Sequence, residues 1–171
     1  MQQNIMLYTT KHLAIRRLAM EDADALYELS QSKWCDKFPN ECYDDPSEVK
    51  ADIESIQAHY QMGHFPHRYG IVLKSENNLI GTVSLKLNSK REIKISMMLM
   101  DAYRGKGYAV ETLDSMVEYA KKKYSKERIF AYSRVDSEWA AKLLEKVGFT
   151  AQEEFDDDFF GQRIRFRAYV K

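Results

Sequence analysis

Only two cysteines, Cys35 and Cys42, occur in the 171 residues, and they lie in a stretch without regular patterning. Two thiols with no repeated spacing make neither a disulfide framework nor a zinc signature, so both are read as free. His64 and His67 are close, but Pro66 between them breaks helical continuity and no nearby Cys or carboxylate completes a ligand set, so no metal is expected. Excess charge of either sign is also missing: Lys plus Arg and Asp plus Glu number 26 each. Without a net positive field, neither nucleic acid nor an anionic membrane is the default partner. No run approaches the roughly 20 apolar residues of a membrane span. Residues 1–10 carry no basic segment followed by an apolar core, so a cytoplasmic location is expected. Glycine and proline are sparse, at seven and three, while 44% of residues are hydrophobic, which excludes disordered and fibrous classes and leaves one folded domain over 1–171.

The hydrophobic pattern resolves into alternating elements. Residues 12–18 read as a first strand, with Leu13 and Ile15 alternating against Arg16 until Leu18 breaks the period. Residues 21–32 place Ala25, Leu26 and Leu29 on one side of a helix whose first turn is acidic. Pro46 suits the first turn of a second helix with the stripe Val49, Ile53 and Ile56, and Gly63 ends it. Strands over 68–74, 79–87 and 92–100 are separated by turn-like Ser75-Glu76-Asn77-Asn78 and Asn88-Ser89-Lys90, which predicts an antiparallel meander. The apolar run Met97 to Met100 breaks the last strand's period and marks either a bulge or burial on both faces. A helix over 107–124, a strand over 128–133, a helix over 137–147 closed by Gly148, and a hairpin of 149–155 and 163–170 complete a mixed α/β chain of seven strands and four helices.

In that hairpin Arg163, Arg165 and Arg167 share one strand face. Two readings are open: cross-strand pairing with the acids that precede them, and a basic row facing substrate.

The chemistry concentrates between Met97 and Glu111, where an apolar strand runs through Asp101-Ala102-Tyr103 into Arg104-Gly105-Lys106-Gly107-Tyr108-Ala109 and then a helix. Glycines let the backbone approach a ligand, and the first amides of a helix lack intrahelical acceptors, so this turn can hold anionic oxygens. Arg104 and Lys106 add positive charge. There is no terminal Gly-Lys-Ser/Thr of a P-loop, and no Gly-x-Gly-x-x-Gly follows the first strand, so nucleotide hydrolysis and hydride transfer are disfavoured.

Residues Arg104 to Ala109 resemble the Arg/Gln-x-x-Gly-x-Gly/Ala pattern of the GNAT N-acetyltransferase superfamily, and Glu145-Lys146-Val147-Gly148-Phe149 is similar to the helix end that these enzymes place before their last strands. With Leu13-Ala14-Ile15-Arg16-Arg17-Leu18 opening the chain, the likeness is nearest to the branch of ribosomal-protein N-terminal acetyltransferases. It implies the acyl-CoA N-acyltransferase fold, α/β (mixed α+β), with a mostly antiparallel seven-stranded sheet flanked by about four helices. It also implies that acetyl-CoA is the cosubstrate, with the backbone of Met97, Met98 and Leu99 pairing with the pantetheine arm. The amides of Arg104, Gly105, Lys106, Gly107, Tyr108 and Ala109 would hold the pyrophosphate, and Ser137 would stand where many members carry an asparagine that touches the cofactor.

The same resemblance offers Glu92, at the start of the cofactor strand, as the base for the acceptor amine; its other reading is a surface carboxylate paired with Lys94 or Arg91. Leu144 departs from the family, since many members have there a tyrosine whose hydroxyl protonates the leaving thiolate. The acceptor cleft is expected between the first two helices and the terminal hairpin, with Trp34, Phe38, Tyr43, His64 and Phe65 as candidate lining. The expected activity is acetyl transfer to a primary amine, of a protein N-terminus, a polyamine, an antibiotic or a small metabolite. The alternatives are a coenzyme A-binding regulator and an interaction module in which residues 104–109 are only a turn. A homodimer is left open.

Overall fold

The turn-punctuated meander of the sequence forms the centre of one sheet in a computed structural model that describes residues 5–32, 42–88, 90–159 and 161–171. The strands are β1 (Met6–Thr9), β2 (Leu13–Arg17), β3 (His67–Leu73), β4 (Asn78–Leu87), β5 (Ile93–Leu99), β6 (Ile129–Arg134), β7 (Thr150–Phe159) and β8 (Gln162–Val170). The helices are α1 (Ala23–Ser30), α2 (Pro46–Met62), α3 (Tyr108–Tyr124) and α4 (Glu138–Val147), with 3-10 turns at Met20–Asp22 and Asp101–Tyr103. Spatial order is β1-β2-β3-β4-β5-β6-β8-β7. Every neighbouring pair is antiparallel except β5 and β6, whose connection passes through α3, as a parallel pair requires.

The sheet has eight strands, not seven. The additional strand, β1, is a four-residue edge closed onto β2 by the Thr10 N–H on the Leu13 carbonyl at 2.9 Å. A strand so short and half-exposed leaves no period-two signature. Leu18 breaks the period of β2 because the chain has left the strand there: it is buried, and its N–H donates to the Tyr60 hydroxyl at 3.3 Å. In β5 the run at Met97–Met100 reflects burial on both faces at Met98 and Leu99, since the register with β4 is continuous. The bulge lies across the ladder in β4, where Ile80 is inserted between Leu79 and Gly81.

Helix α1 packs on β4 and α2, α2 also on β3, α3 on β2, β5 and β6, and α4 on β6, β7 and α3. Leu13, Ile15, Ile71, Val83, Leu85, Ile93 and Ile95 make the sheet's contribution to the core, against Leu26, Val49, Ile53, Leu113 and Met116 from the helices. The corner from β2 into α1 is held by Asp22, which is buried, accepts from the two terminal Arg16 nitrogens Nη1 and Nη2 at 2.7 and 2.8 Å, and also accepts the Ala19 N–H at 2.8 Å. Asp22→Asn removes the charge from these bonds and is expected to cost about 1.5–3 kcal/mol, read as a shift in the urea midpoint with the slope unchanged.

The hairpin arginines pair across strands: Arg163 with Asp156 at 3.1 Å, Arg165 with Glu154 at 2.8 Å, and Arg167 with Glu154. They are an ion ladder, not a substrate-facing row. The reading of both cysteines as free is corrected: Cys42 is disulfide-bonded, while Cys35 lies outside the described residues. Two cysteines without a repeated spacing do not announce such a bond in the sequence. His67 is buried against Phe65, Tyr60, Tyr69 and Tyr124, with its Nδ1 2.9 Å from the Tyr124 hydroxyl, and His64 is exposed. No helix among the described residues is long and apolar enough to cross a membrane.

Candidate active site

The site arises where two strands part. Strands β5 and β6 pair only at Ile93 with Ile129 and Lys94 with Phe130; beyond this, β5 stays on β4 to Leu99 while β6 stays on β8 to Arg134. The divergence opens a cavity of about 160 Å³. Its walls are Ile95 to Leu99 of β5 and Ala131 to Arg134 of β6, with Leu113, Ala140, Leu143 and Leu144 from α3 and α4, and Arg104, Ser137 and Trp139. From Ile95 onward the β5 edge facing β6 has no strand partner among the described residues. Such an edge presents backbone donors and acceptors to any extended ligand that enters.

The loop after β5 continues this opening. Gly105 and Gly107 take φ of +72° and +85°, and a Cβ added at either would meet nothing within 4 Å. Both glycines are thus required by backbone conformation and leave open space beside it. Among the described residues, no protein acceptor takes the N–H groups of Gly105 to Val110. These donors, at the positive end of the 17-residue helix α3, form a cradle suited to anionic oxygens.

The basic side chains of the loop are turned to other tasks. Arg104 donates from Nε and Nη2 to the Leu99 carbonyl at 3.3 and 3.1 Å, pairs with Asp101 at 3.2 Å, and lies 5.5 Å from the Trp139 ring centroid. Desolvation pulls its pKa below the usual guanidinium range, with Asp101 opposing. Lys106 sits over the Tyr103 ring at 5.4 Å, and Tyr103 donates to Glu76 at 2.8 Å.

Of the other sequence candidates, Met97, Met98, Leu99 and Ser137 line the cavity, with Ser137 as the residue that immediately precedes α4. Glu92 does not. It stands in the turn before β5, on the closed side of the Lys94–Phe130 pair, and its carboxylate accepts from the Asn88 amide at 2.8 Å. Sequence reasoning missed Tyr132, Ser133, Arg134 and Trp139. Alternation in β6 separates Tyr132 and Arg134 from Ala131 and Ser133, but only the parting of the strands exposes them to a cavity.

Trp34 and Phe38, expected in an acceptor cleft, lie outside the described residues. His64 and Phe65 are not in the cavity wall; Phe65 packs on His67 and Tyr124 at centroid distances of 4.8 and 5.0 Å. Tyr43 instead joins a polar cluster: its hydroxyl bonds to Asp52 and accepts from Arg68 at 2.8 Å, and Arg68 reaches Asp52 at 3.3 Å. Burial pushes the Tyr43 hydroxyl up to about 12, opposed by the Arg68 charge. Register aligns Arg68 with Ser84 and Ser84 with Ser96, so this cluster shares a sheet face with a cavity residue two strands away, about 10 Å.

A family model described as an acetyltransferase (GNAT) domain matches residues 12–150. Over 141 residues the chain is 26% identical to the uncharacterized N-acetyltransferase YnaD of Bacillus subtilis (strain 168), covering 82% of this chain and 80% of that protein. The fold superimposes on RimL, a ribosomal L7/L12 alpha-N-protein acetyltransferase solved in complex with coenzyme A, with a TM-score of 0.83 at 16% identity over 98% of this chain and 97% of that one. The microcin C7 self-immunity acetyltransferase MccE, solved with acetyl-CoA and AMP, gives 0.81 at 17% identity, covering 95% and 93%. With the match spanning β2 to β6, the glycine loop and α4, the chain belongs to the GNAT acetyltransferase family.

Proposed function

We propose that the protein transfers the acetyl group of acetyl-CoA to a primary amine, with the cofactor entering between β5 and β6. The observation that carries this reading is the continuity of the free β5 edge with the cradle of unclaimed amides at Gly105 to Val110. The residues present fit the cofactor: glycine conformations leave room for a diphosphate, and an apolar channel lies beside a strand edge for an amide-bearing arm. Acetyl-CoA supplies an activated thioester. In this reading the amides of residues 105–109 bind the pyrophosphate, the Arg104 amide being taken by the Asp101 carbonyl at 3.2 Å, while the backbone of Met97 to Leu99 aligns the arm and an amide near Met98 or Leu99 polarises the thioester carbonyl. Ser137 lies at the channel wall to bond the arm.

Alkylamines are mostly protonated near neutral pH, so a proton must leave before attack. Glu92 serves this step through water, since it is not in the cavity wall. Glu92→Gln is expected to lower kcat about a hundredfold while leaving acetyl-CoA affinity unchanged. Unchanged turnover removes Glu92 from the mechanism.

The direct test follows free thiol release with purified protein, acetyl-CoA and a panel of amines. Peptides with free N-termini head the panel because RimL, a fold neighbour, acts on a protein alpha-amine; polyamines, aminoglycosides and small metabolites complete it. Two features favour a second reading, a coenzyme A-binding regulator: Leu144 brings no hydroxyl into the cavity and Glu92 stands outside its wall. Saturable cofactor binding without turnover on the whole panel would select it. No saturable heat with acetyl-CoA would reject both.

A further inference from the structure

We propose that the Ser133 hydroxyl is the hydrogen-bond donor to the departing sulfur, a role resting on the acetyl-CoA reading above. Ser133 is 4% exposed, it lines the cavity, and its Oγ is buried with no hydrogen-bond partner. Buried hydroxyls are ordinarily satisfied, so an unpaired one on a residue of the cavity wall points to a ligand atom. Three other polar groups of the wall are differently disposed, and Ser137 is the one assigned above to the arm. Arg104 is committed to the Leu99 carbonyl and Asp101, and Arg134 forks onto Asp136 at 2.9 and 2.7 Å. Ser96 shares the sheet face of Ser84 and Arg68, whereas Ser133 shares the face of Ala131.

Position along the cleft fits the sulfur. Lys94 and Phe130 are the last paired residues, so counting three onward on each strand sets Met97 level with Ser133. A cofactor held by its diphosphate after Tyr103 and running back along Leu99, Met98 and Met97 ends at that level. Leu144, which offers no hydroxyl, lines the same cavity, and Ser133 brings one from β6.

During transfer the amine nitrogen bonds to the thioester carbon, and the carbon–sulfur bond breaks with its electron pair going to sulfur. One amine proton passes through the base to solvent, and the thiolate later takes a proton from solvent, giving amide and free thiol. Serine stays protonated throughout. Its O–H stabilises charge as it develops on sulfur and lowers the pKa of the bound thiol.

The test uses the full-length protein with coenzyme A and acetyl-CoA. Thiolate ultraviolet absorbance of bound coenzyme A, titrated against pH, is expected to give a higher thiol pKa in Ser133→Ala than in the wild type. The same variant is expected to lose about tenfold in kcat, less than the loss typical for an oxyanion donor because sulfur is a weaker acceptor, with acetyl-CoA affinity kept within about twofold. A purely structural role does not move the thiol pKa. Ser133→Cys provides the second measurement: incubated with coenzyme A disulfide, it is expected to form a mixed disulfide much faster than the wild type, seen by mass spectrometry. An unchanged thiol pKa with unchanged kcat, or no trapping at Cys, overturns the assignment of Ser133. Wild-type protein that binds no acetyl-CoA by calorimetry strikes down the acetyltransferase reading itself, and the proposal with it.

Discussion

Gly107→Trp is expected to lower acetyl-CoA affinity by more than about a hundredfold while leaving the protein folded. Gly107 precedes the first residue of α3 at φ +85°, and the space where its Cβ would project holds no protein atom within 4 Å. A tryptophan can therefore leave the backbone there without a clash at its Cβ, and its ring occupies volume beside the amides of residues 105–110. Displacing a diphosphate from two of those donors forfeits about 1.5–3 kcal/mol for each hydrogen bond to a charged group. Since about 1.4 kcal/mol is tenfold in affinity, two such losses already reach the stated factor. The left-handed conformation adds about 1–2 kcal/mol of backbone strain, which lowers stability without touching the ligand. Gly63→Trp separates the two effects. Gly63, at the end of α2, has φ +66° and equally open surroundings, so it carries the strain far from the cradle. Calorimetry is expected to show full acetyl-CoA affinity for Gly63→Trp and none measurable for Gly107→Trp. Equal affinities would sink the cradle.

The contrast between the loop and the rest of the site explains what could be read from residues alone. Gly105 and Gly107 precede an amphipathic helix, and both the need for positive φ and the orphan amides are local properties, so an open loop of unclaimed donors was legible there. The ion ladder of Arg163, Arg165 and Arg167 was legible for the same reason, because a hairpin makes cross-strand neighbours out of residues close in sequence. Tyr132, Ser133 and Trp139 were not. They become site residues only because β6 leaves β5 after Phe130 while remaining on β8, a long-range pairing that no local period encodes. Glu92 is the opposite case: its sequence position at the start of β5 suggests direct contact with the chemistry, yet the cleft opens only past Lys94, a divergence that no local pattern announces. The edge strand β1 escaped because four partly exposed residues carry no alternation.

Gly81→Val is expected to lower the thermal midpoint by roughly 6–12 °C and to weaken acetyl-CoA binding in the fraction that folds. Gly81 pairs with Leu99 across the β4–β5 ladder, next to the Ile80 bulge. A Cβ at this position would stand 2.2 Å from the Met98 carbonyl oxygen, 2.8 Å from Leu99 Cδ2 and 3.1 Å from Leu99 Cα. Two of these are backbone atoms, which cannot rotate away as a flexible side chain can. Overpacking usually costs about 1–3 kcal/mol, and a clash with a paired strand falls at or above the upper end. For a chain of this size about 3 kcal/mol corresponds to the stated shift, at roughly 2–4 °C per kcal/mol. Relief has one direction: β5 is bound to β4 on one side and, from Ile95 onward, has no strand on the other, so it moves toward the cavity. That movement narrows the channel along Met97 to Leu99 and breaks the Met100 N–H bond to the Ile80 carbonyl, 2.9 Å in the native arrangement. Gly161→Val serves as the comparison, since Gly161 sits at φ +75° in the β7–β8 turn with nothing within 4 Å, and it bears strain without a clash. Melting both variants with and without acetyl-CoA is expected to give a large loss and a weakened ligand-induced rise for Gly81→Val, against a small loss and a full rise for Gly161→Val. A Gly81→Val midpoint within about 2 °C of the wild type, below the effect of one kcal/mol, would mean that β5 does not press on β4 as described.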